Sequence, residues 1–94
     1  IALTSGTGNI MMGYLSGTTI TTGSYNTFLG RRAGKNIVTG SNNIIIGNNG
    51  TASNVEFATD LTNYVQILSG LPSITPANNN LNIGNWIFGN NGNI

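Results

Sequence analysis

Gly23-Ser-Tyr-Asn-Thr-Phe-Leu-Gly30 decides the fold, because the chain repeats it. Seventeen residues later stands Gly40-Ser-Asn-Asn-Ile-Ile-Ile-Gly47, and seventeen residues earlier Gly6-Thr-Gly-Asn-Ile-Met-Met-Gly13. Asn9, Asn26 and Asn43 form one column of the repeat. Gly6, Gly23 and Gly40 form a second, and Gly13, Gly30 and Gly47 a third. Leu3, Ile20 and Ile37 add an apolar column, and Ser5, Thr22 and Thr39 a hydroxyl column.

The residues between Asn and Gly are short β-forming runs bounded by turn formers: Ile10-Met-Met12, Thr27-Phe-Leu29 and Ile44-Ile-Ile46. A second apolar run, at 18–22 and 36–39, predicts two short strands and two turns per copy. A seventeen-residue unit is too small for a domain, and suits one coil of a parallel β-solenoid stacked at about 4.8 Å per coil. A single coil cannot offset the entropy of ordering its own backbone by burying a few apolar side chains, so the copies must stack. The apolar triplets also place large residues on both faces of their strands, whereas one solenoid buries one face. That pattern predicts oligomerisation.

The expected class is therefore all-β: a short-repeat parallel β-solenoid or β-roll. Three repeats fill 3–53, a non-repeating β/loop excursion fills 54–80, and a degenerate fourth repeat fills 81–94, with the chain cut mid-copy. In the excursion, Tyr64-Val-Gln-Ile67 reads as a strand. The fourth repeat rests on Asn85-Trp-Ile-Phe-Gly89-Asn-Asn-Gly92, which matches Asn43-Ile-Ile-Ile-Gly47-Asn-Asn-Gly50 letter for letter in its Asn and Gly positions.

Composition narrows the chemistry. Charged residues make up 5% of the 94, with net charge +1, too few cations for nucleic acid to be the expected partner. There is no Cys and no His, so thiol chemistry and imidazole acid–base chemistry are absent, and neither a metal site nor a cofactor is expected. No apolar run approaches a membrane span, and no membrane insertion is expected.

Arg31, Arg32 and Lys35 are the only basic residues, and all lie in one turn. Such a turn ordinarily keeps a nearly uncharged chain solvated; as a receptor patch it would meet an anionic glycan. Tyr14 and Tyr25 flank turns and are candidate exposed contacts, whereas Trp86 falls at a strand position. Glu56 and Asp60 are the only acids, and their spacing makes a convenient carboxylate pair only on a helix, so no catalytic residue is expected. Gly30-Arg-Arg-Ala-Gly-Lys35 fails the phosphate-loop spacing, with Leu29 and Asn36 where Gly and a hydroxyl would be needed. The Asn column reads as a ladder that satisfies turn backbone groups.

Thr22-Gly-Ser-Tyr-Asn-Thr-Phe-Leu-Gly-Arg-Arg-Ala-Gly34 and Thr39-Gly-Ser-Asn-Asn-Ile-Ile-Ile-Gly47 resemble the TGSNNTFIGxxAG repeats of bacteriophage tail fibres. They also resemble the β-roll heads of trimeric bacterial autotransporter adhesins. Leu81-Asn-Ile-Gly-Asn-Trp-Ile-Phe-Gly89 looks like a segment found near the C-terminal end of tail fibres, ahead of a self-cleaving trimerisation chaperone. The resemblance covers 4–50 well, 81–92 moderately and little of 52–80. It implies an intertwined, elongated homotrimeric fibre in the virion tail, touching a host cell-surface glycan or protein receptor. The alternative it implies is the head of a trimeric adhesin on a bacterial surface; a third is part of a polysaccharide-degrading tailspike. Phe28 and Ile45 stand where adhesin repeats usually have small residues, which favours the phage side.

Overall fold

In a computed structural model of the chain, residues 5–47, 60–68, 77–84 and 87–91 are described. Six strands form one sheet in chain order: β1 (Ile10–Met12), β2 (Thr27–Leu29), β3 (Ile44–Ile46), β4 (Val65–Ile67), β5 (Asn80–Ile83) and β6 (Ile87–Asn90). The first five are parallel, and β6 is antiparallel to β5. The fold is an all-β solenoid of about seventeen residues per coil. Ile10, Thr27 and Ile44 stand in register at steps of seventeen.

Two side-chain ladders tie the coils together. In the first, the Asn26 amide N–H and its Nδ2 both donate to Asn9 Oδ1, at 3.0 and 3.1 Å. Asn43 repeats this on Asn26 Oδ1, at 3.0 and 2.9 Å. Each Nδ2 also donates forward to a backbone carbonyl, that of Gly23, Gly40 or Leu61. Asn26 and Asn43 are fully buried, so these bonds satisfy groups that water cannot reach. In the second ladder, the backbone N–H of Thr7, Ser24, Ser41 and Thr62 donates to the side chain of Ser24, Ser41, Thr62 and Asn78 in turn. Sequence reasoning missed this column, although the Ser of each Gly-Ser pair marks it.

Backbone torsions repeat with the coils. Gly8, Tyr25, Asn42, Asn63 and Asn79 all take φ between 56° and 67° just ahead of a strand. Gly30, just after one, takes φ 123°, and a Cβ there would collide with the Gly47 carbonyl oxygen one coil on. Both the torsion and the close approach demand glycine.

These columns carry the solenoid beyond the three legible repeats. The segment read as an excursion continues the stack where it is described: β4 pairs in parallel with β3 after a step of 21 residues, and β5 with β4 after a step of 16. Asn80 and Gly84 of coil five take the places of Asn43 and Gly47, whereas Tyr64 and Leu68 hold them in coil four. Where it is described, the phrase from Asn85 to Gly92 therefore does not add a parallel coil. Its described part, β6, turns back on β5 with Leu81 opposite Gly89 and Ile83 opposite Ile87. Only Gly84, Asn85 and Trp86 separate the two strands, enough chain for a hairpin but not for a coil.

The second strand expected in each copy is also absent among the described residues. Ile20 N–H and Ile37 N–H close turns onto the Gly17 and Gly34 carbonyls, at 3.3 and 3.2 Å, so these amides are not available to a ladder. The coil thus has one strand face and an irregular wall.

The core lies between them. Ile20, Phe28, Ala33, Ile37, Ile45, Leu61 and Tyr64 are fully buried, with Met11 packed against them. One residue of each of the five parallel strands points inward, in the column Met11, Phe28, Ile45, Gln66, Asn82. Its last two members are polar and fully buried, and the Tyr64 hydroxyl donates to Gln66 Oε1 at 2.7 Å.

Candidate functional site

Alternation along three-residue strands turns the first and third residues outward. Two rows result on the outer face. One runs Ile10, Thr27, Ile44, Val65, Leu81, and the other runs Met12, Leu29, Ile46, Ile67, Ile83 and on to Ile87. Thr27 is the only polar residue of the eleven. Ile10, Met12, Ile44, Ile67 and Ile87 are between 40% and 66% exposed. Contiguous apolar rows of this kind mark interaction surfaces, whereas scattered exposed apolar residues do not.

At the corner after β1 and β2, the chain makes the same double turn twice. Ser16 N–H bonds the Gly13 carbonyl and Ala33 N–H the Gly30 carbonyl, at 3.1 and 3.2 Å. The repeat places Tyr14 and Arg31 at equivalent positions in neighbouring coils. The Arg31 guanidinium stands 5.8 Å from the centre of the Tyr14 ring, a cation–π arrangement on an exposed corner. The Arg32 N–H donates to the Tyr14 carbonyl at 2.7 Å, and Arg32 takes φ 63°. Lys35, half-buried, accepts the Thr19 hydroxyl at its carbonyl. All three cations of the chain thus belong to one turn, with Arg31 alone of them set over the Tyr14 ring.

Tyr25 belongs to the opposite corner. Tyr14 follows a strand and Tyr25 precedes one, so the structure does not join them into one site. Tyr25 is 64% exposed and holds φ 60°, a left-handed conformation that costs a side-chain-bearing residue about 1–2 kcal/mol. Its ring lies over Gly8, where a Cβ would come within 2.7 Å of the ring. Gly8 is therefore the floor on which the Tyr25 ring rests.

Asp60 is exposed at the start of coil four, and Glu56, Asn85 and Trp86 lie outside the described residues, so the carboxylate pair and the Trp86 packing are not placed. Among the described residues no group of three or more acidic or His/Cys side chains could hold a metal ion, and no helix is long and apolar enough to cross a membrane. Among the described residues the one displaced ionisation is that of Tyr64, whose phenol is pushed up to about 12 by burial in the core. The described surface thus offers a cation–aromatic corner after β1 and β2, an exposed Tyr25 at the opposite corner, and apolar rows on the outer sheet face.

No family model matches the chain, and comparison with curated proteins and with solved structures finds no match.

Proposed function

We propose that the chain is a structural segment of a bacteriophage tail fibre, assembled as a homotrimer in the extracellular virion tail and contributing to host-surface attachment. The observation that carries this reading is the outer sheet face, with two rows of apolar side chains running the length of the stack. Such a face needs a cover, and three chains sharing an axis cover one another symmetrically. The resemblance of 4–50 to tail-fibre repeats supplies the biological setting. Recognition of a cell-surface glycan or protein then falls to the corners, Tyr14, Tyr25, Arg31, Arg32 and Lys35, which a stiff rod holds clear of its axis.

Sedimentation of the purified chain over a wide concentration range tests the assembly. A trimer is expected. Ile44→Lys combined with Ile67→Lys should yield a monomer with an unchanged far-ultraviolet spectrum, because both side chains leave the core untouched. A parent chain that stays monomeric at every concentration would falsify the fibre reading.

A further inference from the structure

The two ends of the stack differ. At the far end, β6 pairs antiparallel with β5 and covers its edge. At the near end the parallel strand β1 is itself the terminal strand, with β2 its only neighbour among the described residues. We infer that the β1 edge is a template for one further parallel coil, and that it selects a segment with Asn at the ladder position and Gly four residues later.

The bonds made at every other step define what this edge offers. The N–H of Tyr25, Asn42, Asn63 and Asn79 donates to the carbonyl of Thr7, Ser24, Ser41 and Thr62 in the coil before. Gly30 N–H and Gly47 N–H donate likewise to the Met12 and Leu29 carbonyls, and Arg32 N–H to that of Tyr14. The N–H of Asn26, Asn43 and Tyr64 goes to the preceding Asn Oδ1. On coil one the equivalent donors are the amides of Gly8, Gly13, Leu15 and Asn9, and no described residue accepts from them. The equivalent hydroxyl acceptor is Thr7. The core is open at the same end: Met11 is half-buried, whereas Phe28 and Ile45 in its column are fully buried.

The occupant follows from these groups. An Asn seventeen positions before Asn9 in register would bring its Oδ1 to the Asn9 amide, and three residues after it would pair β1 and roof Met11. Gly must follow, because in each described pair a Cβ on the earlier Gly, 13 or 30, meets the carbonyl of the next. The far end of a second copy does not fit, since β6 covers that edge in the antiparallel sense. The requirement is thus for another coil of this phrase. The inference is independent of the outer-face association proposed above.

Two measurements on the full chain test it. A nine-residue peptide, Thr39–Gly47, added to the labelled chain should move the amide resonances of Gly8, Asn9, Gly13 and Leu15 and leave β5 unmoved. A second chain carries residues 23–39 duplicated between Ser5 and Gly6, which keeps the register. In it these four amides should exchange with solvent at least about tenfold more slowly than in the parent, and peroxide oxidation of Met11 should slow in parallel. Protection in the duplicated chain supports the inference even where the free peptide is too weak to register. The inference is overturned if the duplicated chain, folded elsewhere, leaves the four amides unprotected. It is equally overturned if a duplicate carrying Asn26→Ala and Gly30→Val in the added coil protects them as well.

Discussion

Asn26 shows how much one side chain carries in this fold. Its Nδ2 serves Asn9 Oδ1 and the Gly40 carbonyl, and its Oδ1 accepts from both nitrogens of Asn43. Truncation to Ala leaves the Gly40 carbonyl and the Asn43 amide without these bonds in a site sealed from water. Orphaned buried groups cost about 1–3 kcal/mol each, so Asn26→Ala should lower stability by roughly 2–6 kcal/mol in urea unfolding. A loss under about 1 kcal/mol would mean that the ladder fits the coils without holding them. Tyr25 is expected to behave in the opposite way. Asn tolerates a left-handed φ better than Tyr, and Asn42, Asn63 and Asn79 hold this position in later coils. Tyr25→Asn should therefore raise the melting temperature, whereas a drop would show that the ring's contact with Gly8 outweighs its backbone cost.

Among the elements, coil four departs furthest from the pattern, and it shows why part of the fold was legible and part was not. The repeats at 6–47 announce themselves because corner geometry forces Asn and Gly at fixed places and spacings. In coil four the step lengthens to 21, Tyr64 stands for Asn, and Leu68 stands for Gly, so both markers vanish together. What persists is the left-handed Asn63 and the hydroxyl of Thr62, signals too short to stand out in sequence. The phrase at Asn85 misleads for the converse reason: its letters match, but three residues of connection dictate a hairpin. The outer apolar rows follow from the triplets already visible in sequence, whereas the stacking of Arg31 on Tyr14 needed the coil geometry. Tyr64 gives coil four its own chemistry. Its phenol holds its proton to about pH 12 in the folded chain, against an ordinary 10.0. Between these values the unfolded chain has released that proton and the folded chain retains it, so unfolding is favoured as pH rises. Stability from this residue should be complete below about pH 10 and fall away as pH climbs toward 12. Tyr64→Phe should flatten that alkaline slope; an unaltered slope would assign it to other groups.

For the whole molecule, what counts is the direction of the bonds. The four parallel strand pairings and both ladders run from one coil to the next, along the stacking axis, and the ladder carboxamide is missing where Tyr64 takes its place. Tension applied between the two chain ends therefore loads the coil joints in series, like links, and each joint bears the full force. Coils should leave the stack one at a time, each freeing roughly 60 Å of slack chain for about seventeen residues. Single-molecule extension should show that stepwise trace, with the first yield near coil four, while one abrupt rupture of the whole stack would contradict it. A stack built this way stretches under a sudden pull by shedding coils, and so dissipates a shock that would snap a single rigid joint.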